Sequence, residues 1–255
     1  MRFASLGSGS DGNGLVVESG ATRVLVDCGF NLSETIRRLA RLGLDPSDLT
    51  AVLVTHEHDD HGGGVARLAR RYDLPVYLTY GTLVALGPRS SMMPRVSVID
   101  AHSPFMVGDL EIHPYPVPHD AREPAQFVFC DGDRRLGLLT DTGESTPHIE
   151  RMLSGIDALV LECNHDLDLL MSGPYPPSLK RRISGRLGHL DNDTAARIVG
   201  GIDCGRLQHF IAAHLSAQNN TPELARTAMA EALRCEPAWV CVATQSEGLD
   251  WRQIA

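Results

Sequence analysis

The feature that most constrains this sequence is an aliphatic run that ends in a dense cluster of histidines and aspartates. Residues 50–55 read TAVLVT and predict a buried strand, because nearly all of these side chains are apolar. The chain continues directly as HEHDDHGGG, which places three histidines and two aspartates within six positions. Unpaired charges that crowd together away from water are costly, so the cluster predicts a divalent cation among them.

The spacing of the cluster predicts room for two ions. His56, His58, Asp60 and His61 form the pattern H-x-H-x-D-H. Alternate side chains of an extended segment point the same way, so His56 and His58 can share one ion, and Asp60 and His61 can reach a second. Nitrogen and oxygen ligands suit zinc, manganese or iron. The alternative is a solvated polar loop, which rarely carries so ordered a set of ligand residues.

Three more candidate ligands follow strand-like segments further along the chain. His119 lies in PVPHDA, Asp141 in LLTDTG and His214 in FIAAHLS. Each of them taken alone is explained as well by a hydrogen-bonded polar residue in a turn. Together with the H-x-H-x-D-H pattern they become candidate metal ligands, and the Asp141 carboxylate could bridge two ions.

Strand-like and helix-like segments alternate along residues 1–255, without a linker or a low-complexity stretch. This pattern predicts one layered domain of the α/β (α+β) class. The first strands are predicted from RFASLG, GLVVES and TRVLVDCG, and a helix from SETIRRLARLGL. Ser33 is predicted as the N-cap of that helix and Gly43 as its C-cap.

The composition predicts a cytoplasmic protein that does not enter a membrane. No apolar run approaches the roughly 20 residues that span a bilayer, and the start of the chain lacks the apolar core of a secretory signal. The six cysteines form no C-x-x-C pair and are predicted to be small buried residues in a reducing compartment. A net charge of −9 argues against broad nonspecific binding of nucleic acid, but it leaves a local basic groove open.

The chain resembles the metallo-β-lactamase-fold hydrolases and, among them, the WalJ/YycJ-type subgroup of 5′-to-3′ exonucleases. The resemblance covers nearly the whole chain. It is carried by SLGSGSDGN, H-x-H-x-D-H, PVPHDA, TDTG, LECNHD, GPYPPSLKRRISGRLGHLDN and AHLSAQNNTPE, in that order.

This resemblance implies a four-layer αββα sandwich with two divalent metal ions in a cleft at one edge. It implies His56, His58 and His119 on one ion. On the other it implies Asp60, His61 and His214, with Asp141 between the two ions.

The implied activity is that of a dinuclear-metal-dependent phosphodiesterase acting on DNA with a free 5′ end, in which a metal-activated hydroxide attacks the phosphodiester. Asp60 could also orient that nucleophile. His189 is the candidate acid for the leaving oxygen, and Glu162 could hold it in position. The alternative is that His189 and Glu162 are unrelated polar residues. His165 is predicted to be structural.

Two segments are candidates for substrate binding. The loop GSGSDGN offers backbone N–H groups and the side chains of Ser8, Ser10 and Asn13 to an anion, although it is equally well explained as a tight strand connection. The basic run Lys180, Arg181 and Arg182, followed by Arg186, lies just before His189, and its alternative is a solvated helix face.

Asp191, in GHLDN, stands where the resemblance leads us to expect a small hydroxyl residue. It can still cap the following helix, but it adds negative charge near any bound phosphate.

Three other functions remain open at this point. A small cyclic-phosphate phosphodiesterase would use the same seven ligands. Thioester or β-lactam hydrolysis would leave GHLDN and the basic run without an evident use, and lactamases usually place a cysteine where this chain has Asp141. A non-catalytic binding module should have lost some ligands. An open basic cleft would favour nucleic acid, whereas a closed pocket would favour a small diester.

Overall fold

The computed structural model describes residues 1–255 as two seven-stranded mixed sheets with helices around them. The first sheet has the strand order β14-β1-β2-β3-β4-β5-β6. Its strands are β1 Arg2–Gly7, β2 Gly14–Ser19, β3 Thr22–Val26, β4 Ala51–Leu53, β5 Pro75–Thr79, β6 Arg95–Ile99 and β14 Leu249–Gln253. The pairs β3–β4, β4–β5 and β5–β6 are parallel, and the others are antiparallel.

The second sheet has the strand order β13-β12-β11-β10-β9-β8-β7. Its strands are β7 Phe105–Val107, β8 Leu110–Pro116, β9 Ala125–Cys130, β10 Arg135–Leu139, β11 Ala158–Glu162, β12 His209–Ala213 and β13 Cys241–Val242. Strands β10 to β13 are parallel, whereas β7 to β10 pair antiparallel. Each sheet therefore contains a parallel part whose strands all end at the same edge.

Nine helices surround the sheets. They are α1 Leu32–Arg41, α2 Asp59–Gly62, α3 Val65–Tyr72, α4 Tyr80–Ala85, α5 Pro147–Leu153, α6 Leu167–Ser172, α7 Pro177–Ile183, α8 Asn192–Gly201 and α9 Pro222–Leu233. Three short 3-10 helices cover Pro46–Asp48, Gly87–Met92 and Pro237–Trp239. None of the helices is long and apolar enough to cross a membrane.

The apolar side chains form three buried clusters that alternate with the sheets. The central cluster joins both sheets and includes Phe3 and Leu53 from the first and Phe129 from the second. One outer cluster packs the first sheet against α1 and α3, and the other packs the second sheet against α5, α8 and α9. Helices therefore lie outside both sheets, and the predicted four-layer αββα sandwich is confirmed.

The cap predicted for α1 is wrong at its first residue. Asn31, and not Ser33, is the N-cap, because the Asn31 side chain accepts a hydrogen bond from Glu34 N at 3.0 Å. The Ser33 hydroxyl instead donates to the Asn31 side chain at 2.7 Å. Gly43 follows the C-terminal cap residue Leu42 and has φ +75°, a left-handed conformation that suits glycine at a helix end.

The cysteine prediction holds only in part. All six cysteines are free thiols, but only Cys28 and Cys163 are buried, and the other four are half-buried. Burial raises the pKa of the Cys28 thiol to about 11, so this side chain acts as a small apolar residue. Cys130 is the last residue of β9 and Cys241 is the first residue of the edge strand β13, and both are partly exposed to solvent.

Candidate metal centre

The candidate site lies where the parallel strands of both sheets end. Asp27 directly follows β3 and His214 directly follows β12, and Asp141 lies two residues after the end of β10. All three residues have φ between +53° and +61°, a left-handed conformation that is uncommon outside glycine. Such backbone strain concentrates where side chains must be held in a particular direction.

The first candidate ligand group consists of His56, His58 and His119. His56 Nε2 lies 3.1 Å from His58 Nδ1, and His119 Nε2 lies 3.3 Å from the same atom. The rings of His56 and His119 are buried, and that of His58 is partly exposed. One nitrogen from each ring can therefore meet at a common point, as a metal ion requires.

The second candidate group consists of Asp60, His61 and His214. Asp60 Oδ2 lies 3.4 Å from His61 Nε2 and 3.5 Å from His214 Nε2. His61 and His214 are buried, and Asp60 faces the cleft. The short helix α2 begins directly after His58 and turns Asp60 and His61 towards this second group.

Asp141 stands between the two groups. Its Oδ2 lies 3.0 Å from His61 Nε2, and its Oδ1 lies 3.9 Å from His119 Nε2. Two buried atoms, Asp141 Oδ2 and His214 Nε2, make no hydrogen bond of acceptable geometry. Unpaired buried polar atoms are rare in folded proteins. Their position among nitrogen and oxygen donors fits divalent metal ions.

Asp141 and His56 carry the charges that metal ligands need, whereas His214 holds a proton that a bound ion would displace. Burial raises the pKa of Asp141, but His214 and His61 outweigh it and hold that pKa well below its ordinary value. Burial lowers the pKa of His214, yet Asp141 and Glu162 raise it to about 10. Burial and the neighbouring His61 lower the pKa of His56 well below 6.5. Asp141 is therefore an ionised carboxylate and His56 a neutral imidazole, the forms that bind metal.

Asp27 holds His61 from behind and was missed in the sequence. Its Oδ2 lies 2.8 Å from His61 Nδ1, and its two oxygens accept hydrogen bonds from Thr55 N and Thr55 Oγ1, both at 2.8 Å. This contact directs His61 Nε2 towards the candidate ligands. The available signal was an aspartate at the end of the aliphatic run TRVLV, beside the run that leads to the histidines.

The structure brings His189 and Glu162 together, as expected for an acid and the residue that orients it. His189 Nδ1 lies 2.8 Å from Glu162 Oε1, and His214 Nδ1 lies 3.1 Å from the same oxygen. Glu162 Oε2 accepts hydrogen bonds from Thr142 N and Leu190 N. Burial raises the pKa of Glu162, but the charge of His189 and the side-chain contacts with His189 and His214 lower it to about 2. This ionised carboxylate fixes the direction of both histidine rings.

The loop GSGSDGN, residues 7–13 and called the Gly/Ser loop below, contacts the histidines more than it faces solvent. The Ser8 hydroxyl accepts a hydrogen bond from His214 N at 2.9 Å and donates to Asn13 Oδ1 at 3.2 Å. Asn13 Nδ2 lies 3.0 Å from His61 Nε2. Ser8 and Asn13 are buried, which does not favour direct contact with a substrate. Ser10 is exposed and lines the cleft.

The predicted basic run divides in the same way. Arg182 lines the cleft, and its Nε donates to Asp120 Oδ2 at 2.8 Å. Lys180 instead donates to the Met171 carbonyl, and Arg186 forms an ion pair with Glu144. Arg181 is exposed and does not line the cleft. Of the residues in this run, only Arg182 lines the cleft beside the candidate metal site.

The expected cap by Asp191 is present, and the structural role of His165 stays a prediction. Asp191 caps α8, since its Oδ1 accepts a hydrogen bond from Thr194 N at 2.8 Å. His165 is fully buried, and its backbone carbonyl accepts a hydrogen bond from Asn192 N. Neither residue lines the cleft.

Comparison with known proteins agrees with this geometry. A family model described as a beta-lactamase superfamily domain matches residues 22–211. The chain belongs to this superfamily. It is 37% identical over 235 residues to the exodeoxyribonuclease YycJ of Bacillus anthracis, covering 91% of this chain and 89% of that protein. It is 35% identical to the exodeoxyribonuclease WalJ of Streptococcus pneumoniae, covering 91% and 88%.

A solved structure gives the same result for the fold of this superfamily member. The metallo-beta-lactamase fold protein YhfI from Bacillus subtilis superposes with a TM-score of 0.74, over 99% of each chain and at 17% identity. The two exodeoxyribonuclease relatives confirm the resemblance to the WalJ/YycJ-type subgroup that the sequence motifs carried.

Proposed function

We propose that this protein is a phosphodiesterase that uses two divalent metal ions, zinc or manganese and alternatively iron, and acts as a 5′-to-3′ DNA exonuclease. The observation that carries the proposal is the pair of ligand groups joined by Asp141 at an open cleft. Its full-length relatives with 35–37% identity are named exodeoxyribonucleases. The cytoplasmic location expected from the sequence belongs to the same proposal.

The proposed ligands are those of the two groups described above. His56, His58 and His119 would hold one ion, and Asp60, His61 and His214 the other, with Asp141 in contact with both. Ions held there would lower the pKa of a water molecule and neutralise charge on a phosphoryl oxygen. Asp60 faces the cleft, and there it would orient an attacking water molecule.

His189 lines the same cleft as Asp60 and supports the departure of the leaving oxygen. Burial lowers the pKa of His189, but Glu162 and Asp141 outweigh it and raise that pKa. A protonated imidazole can donate its Nε2 proton to an alkoxide as the phosphodiester bond breaks. The Glu162 contact with Nδ1 leaves Nε2 free for this role.

The shape of the cleft favours a long substrate over a small diester. The metal cavity has a volume of about 310 Å³ and no hydrophobic side chain in its wall. A second cavity adjoins it at Asp59 and is lined by Arg67 and Arg89. Asp59 lines both cavities and pairs with Arg89 at 2.6 Å, so the two cavities adjoin at this ion pair. Arg67 in the adjoining cavity adds positive charge of the kind that suits the phosphates of a polynucleotide.

The small cyclic-phosphate phosphodiesterase remains the alternative function. The net charge of −9 and the four aspartates in the metal cavity, Asp59, Asp60, Asp120 and Asp141, do not favour a polyanion. Bound metal ions would offset part of this charge. The two functions are separated by assaying both substrates with the same preparation.

The test is nucleotide release from linear duplex DNA by the manganese-loaded protein. The duplex carries a 5′-phosphate or a 5′-hydroxyl and is labelled at either end. We expect mononucleotides from the 5′ end, and we expect His58→Ala to abolish their release. His102→Ala is the matched control, because His102 is exposed and outside the cleft. Absence of release, together with turnover of a small cyclic phosphodiester, would overturn the nuclease in favour of the alternative.

A further inference from the structure

A third cavity also lies beside the candidate metal site, and its walls are unlike those of the metal cavity. It has a volume of about 190 Å³, and the half-buried ring of Tyr175 forms part of its wall. Leu179 and Ile183 are one turn apart on α7 and line the same cavity. Asn164 and Ser216 supply polar atoms. An aromatic ring and two aliphatic side chains facing polar groups suit a flat heterocycle that carries hydrogen-bonding edges.

This cavity opens directly onto the candidate metal site. The two cavities share four lining residues, Ser10, Asp120, Arg182 and His189. His189, the proposed acid, therefore lies at the boundary between them. A group bound in the Tyr175 cavity could therefore carry the oxygen that leaves, or is transferred, at the metal site.

Arg182 lies at the same boundary and supplies positive charge. Asp120 fixes its guanidinium through Nε, so the two terminal nitrogens remain available. The side chain is 66% exposed and makes no other ion pair. A phosphate located between the two cavities could bind these nitrogens in the two-point manner that guanidinium favours.

We propose that this cavity binds the terminal nucleoside of the strand being degraded, with its base stacked on Tyr175 and its phosphate near Arg182. The inference rests on the proposed nuclease function and adds a binding subsite to it. The volume of about 190 Å³ suits a single nucleoside. The terminal nucleotide therefore leaves its partner strand before it enters, as bases do when enzymes take them from a helix.

The experiment compares ordinary DNA ends with ends that lack the terminal base. Wild-type protein, Tyr175→Ala and Tyr175→Phe are loaded with manganese and assayed on both ends for kcat and KM. We expect Tyr175→Ala to raise KM about ten-fold on the ordinary end, as for loss of one base–aromatic stack. On the abasic end the same variant should match wild type, and Tyr175→Phe should retain the wild-type KM on both.

The matched control is Tyr80→Ala. Tyr80 is 66% exposed and lines neither cavity, so its KM should equal that of wild type on both ends. Competition gives a second readout that does not depend on the scissile bond. Thymidine 5′-monophosphate should inhibit wild type better than deoxyribose 5-phosphate does, and Tyr175→Ala should remove this difference.

The outcomes separate the subsite from the function. If Tyr175→Ala has the same effect on ordinary and abasic ends, or none, the subsite is overturned while DNA degradation by wild type still supports the nuclease. If wild type degrades no DNA, the proposed function itself fails, and the subsite fails with it. Loss of folding in Tyr175→Ala is recognised by thermal denaturation, and the comparison of base and abasic ends by Tyr175→Leu then decides the question.

Discussion

The carboxylate of Asp27 lies 2.8 Å from Nδ1 of His61, on the side of the ring opposite to the candidate metal ligands. Asp27 is itself held by Thr55, the residue before the histidine cluster. Two parallel strands of the first sheet, β3 and β4, thus cooperate to aim one imidazole. This arrangement fixes the tautomer in which Nε2 is the free ligand nitrogen.

Asp27→Ala is therefore expected to weaken metal binding about 10- to 100-fold, the usual effect of removing a group that orients a ligand. Isothermal titration of the metal-free protein with Zn²⁺ or Mn²⁺ measures this change. Asp250→Ala is the control, because Asp250 is an exposed aspartate that pairs with Arg41 far along the chain from the site. Equal affinities in Asp27→Ala and wild type would show that His61 needs no such support.

His189→Ala is expected to lower kcat on DNA by about 100-fold or more, because a positioned acid contributes on the order of 10²–10⁴. The same variant should cleave bis(p-nitrophenyl) phosphate at nearly the wild-type rate, since a nitrophenolate leaves without a proton. Steady-state rates on both substrates provide the measurement. A parallel loss on both would assign His189 to the structure of the site and not to the leaving oxygen.

Glu162→Gln should lower kcat on DNA as His189→Ala does, because it removes the charge that raises the pKa of His189. It should also affect His214, which shares the same carboxylate oxygen. Metal affinity is therefore the measurement that distinguishes the two variants. It should fall in Glu162→Gln and remain near wild type in His189→Ala.

The metal-free protein should lose stability as the pH rises above neutrality. The pKa of His214 is about 10 in the folded protein and 6.5 in its ordinary state. Its contribution is complete below pH 6.5 and is lost as the pH rises through 10. The pKa of Glu162 falls from 4.5 to about 2, so its contribution is present above 4.5 and is lost as the pH falls towards 2.

Differential scanning calorimetry of chelator-treated protein should therefore give its highest Tm between about pH 5 and 7. Manganese-loaded protein should not show the loss between pH 7 and 9, since deprotonated imidazoles bind metal more tightly. Identical Tm changes with and without metal over that interval would rule out His214 as both the titrating group and a ligand.

Two glycines should respond in opposite directions to alanine. A Cβ at Gly29 would lie 1.9 Å from the backbone oxygen of Asp60, so Gly29→Ala should displace Asp60 and destabilise the fold by roughly 1–3 kcal/mol. A Cβ at Gly200 in α8 meets no atom within 4 Å. Gly200→Ala should therefore stabilise the protein by up to about 1 kcal/mol through helix propensity. Urea unfolding of both variants and titration of their metal affinity measure these effects.

The sequence by itself determined the family, the layered fold and which seven side chains are candidate ligands. Aliphatic runs and the H-x-H-x-D-H pattern are local features. A strand that ends in such a pattern indicates a metal site from about ten consecutive residues. The N-cap role of Asp191 could also be predicted from the sequence, because a cap acts on the next three residues. The single-domain organisation and the assignment of ligands to ions stay predictions.

Only the tertiary structure decided which residues support the site and which reach the cleft. Asp27 meets His61 because parallel strands end at one edge, a relation between residues 34 positions apart. Ser8 and Asn13 face inwards, where Ser8 contacts His214 N and Asn13 contacts His61 Nε2. The Tyr175 cavity likewise exists only because packing brings α7, the Gly/Ser loop and the end of β12 together.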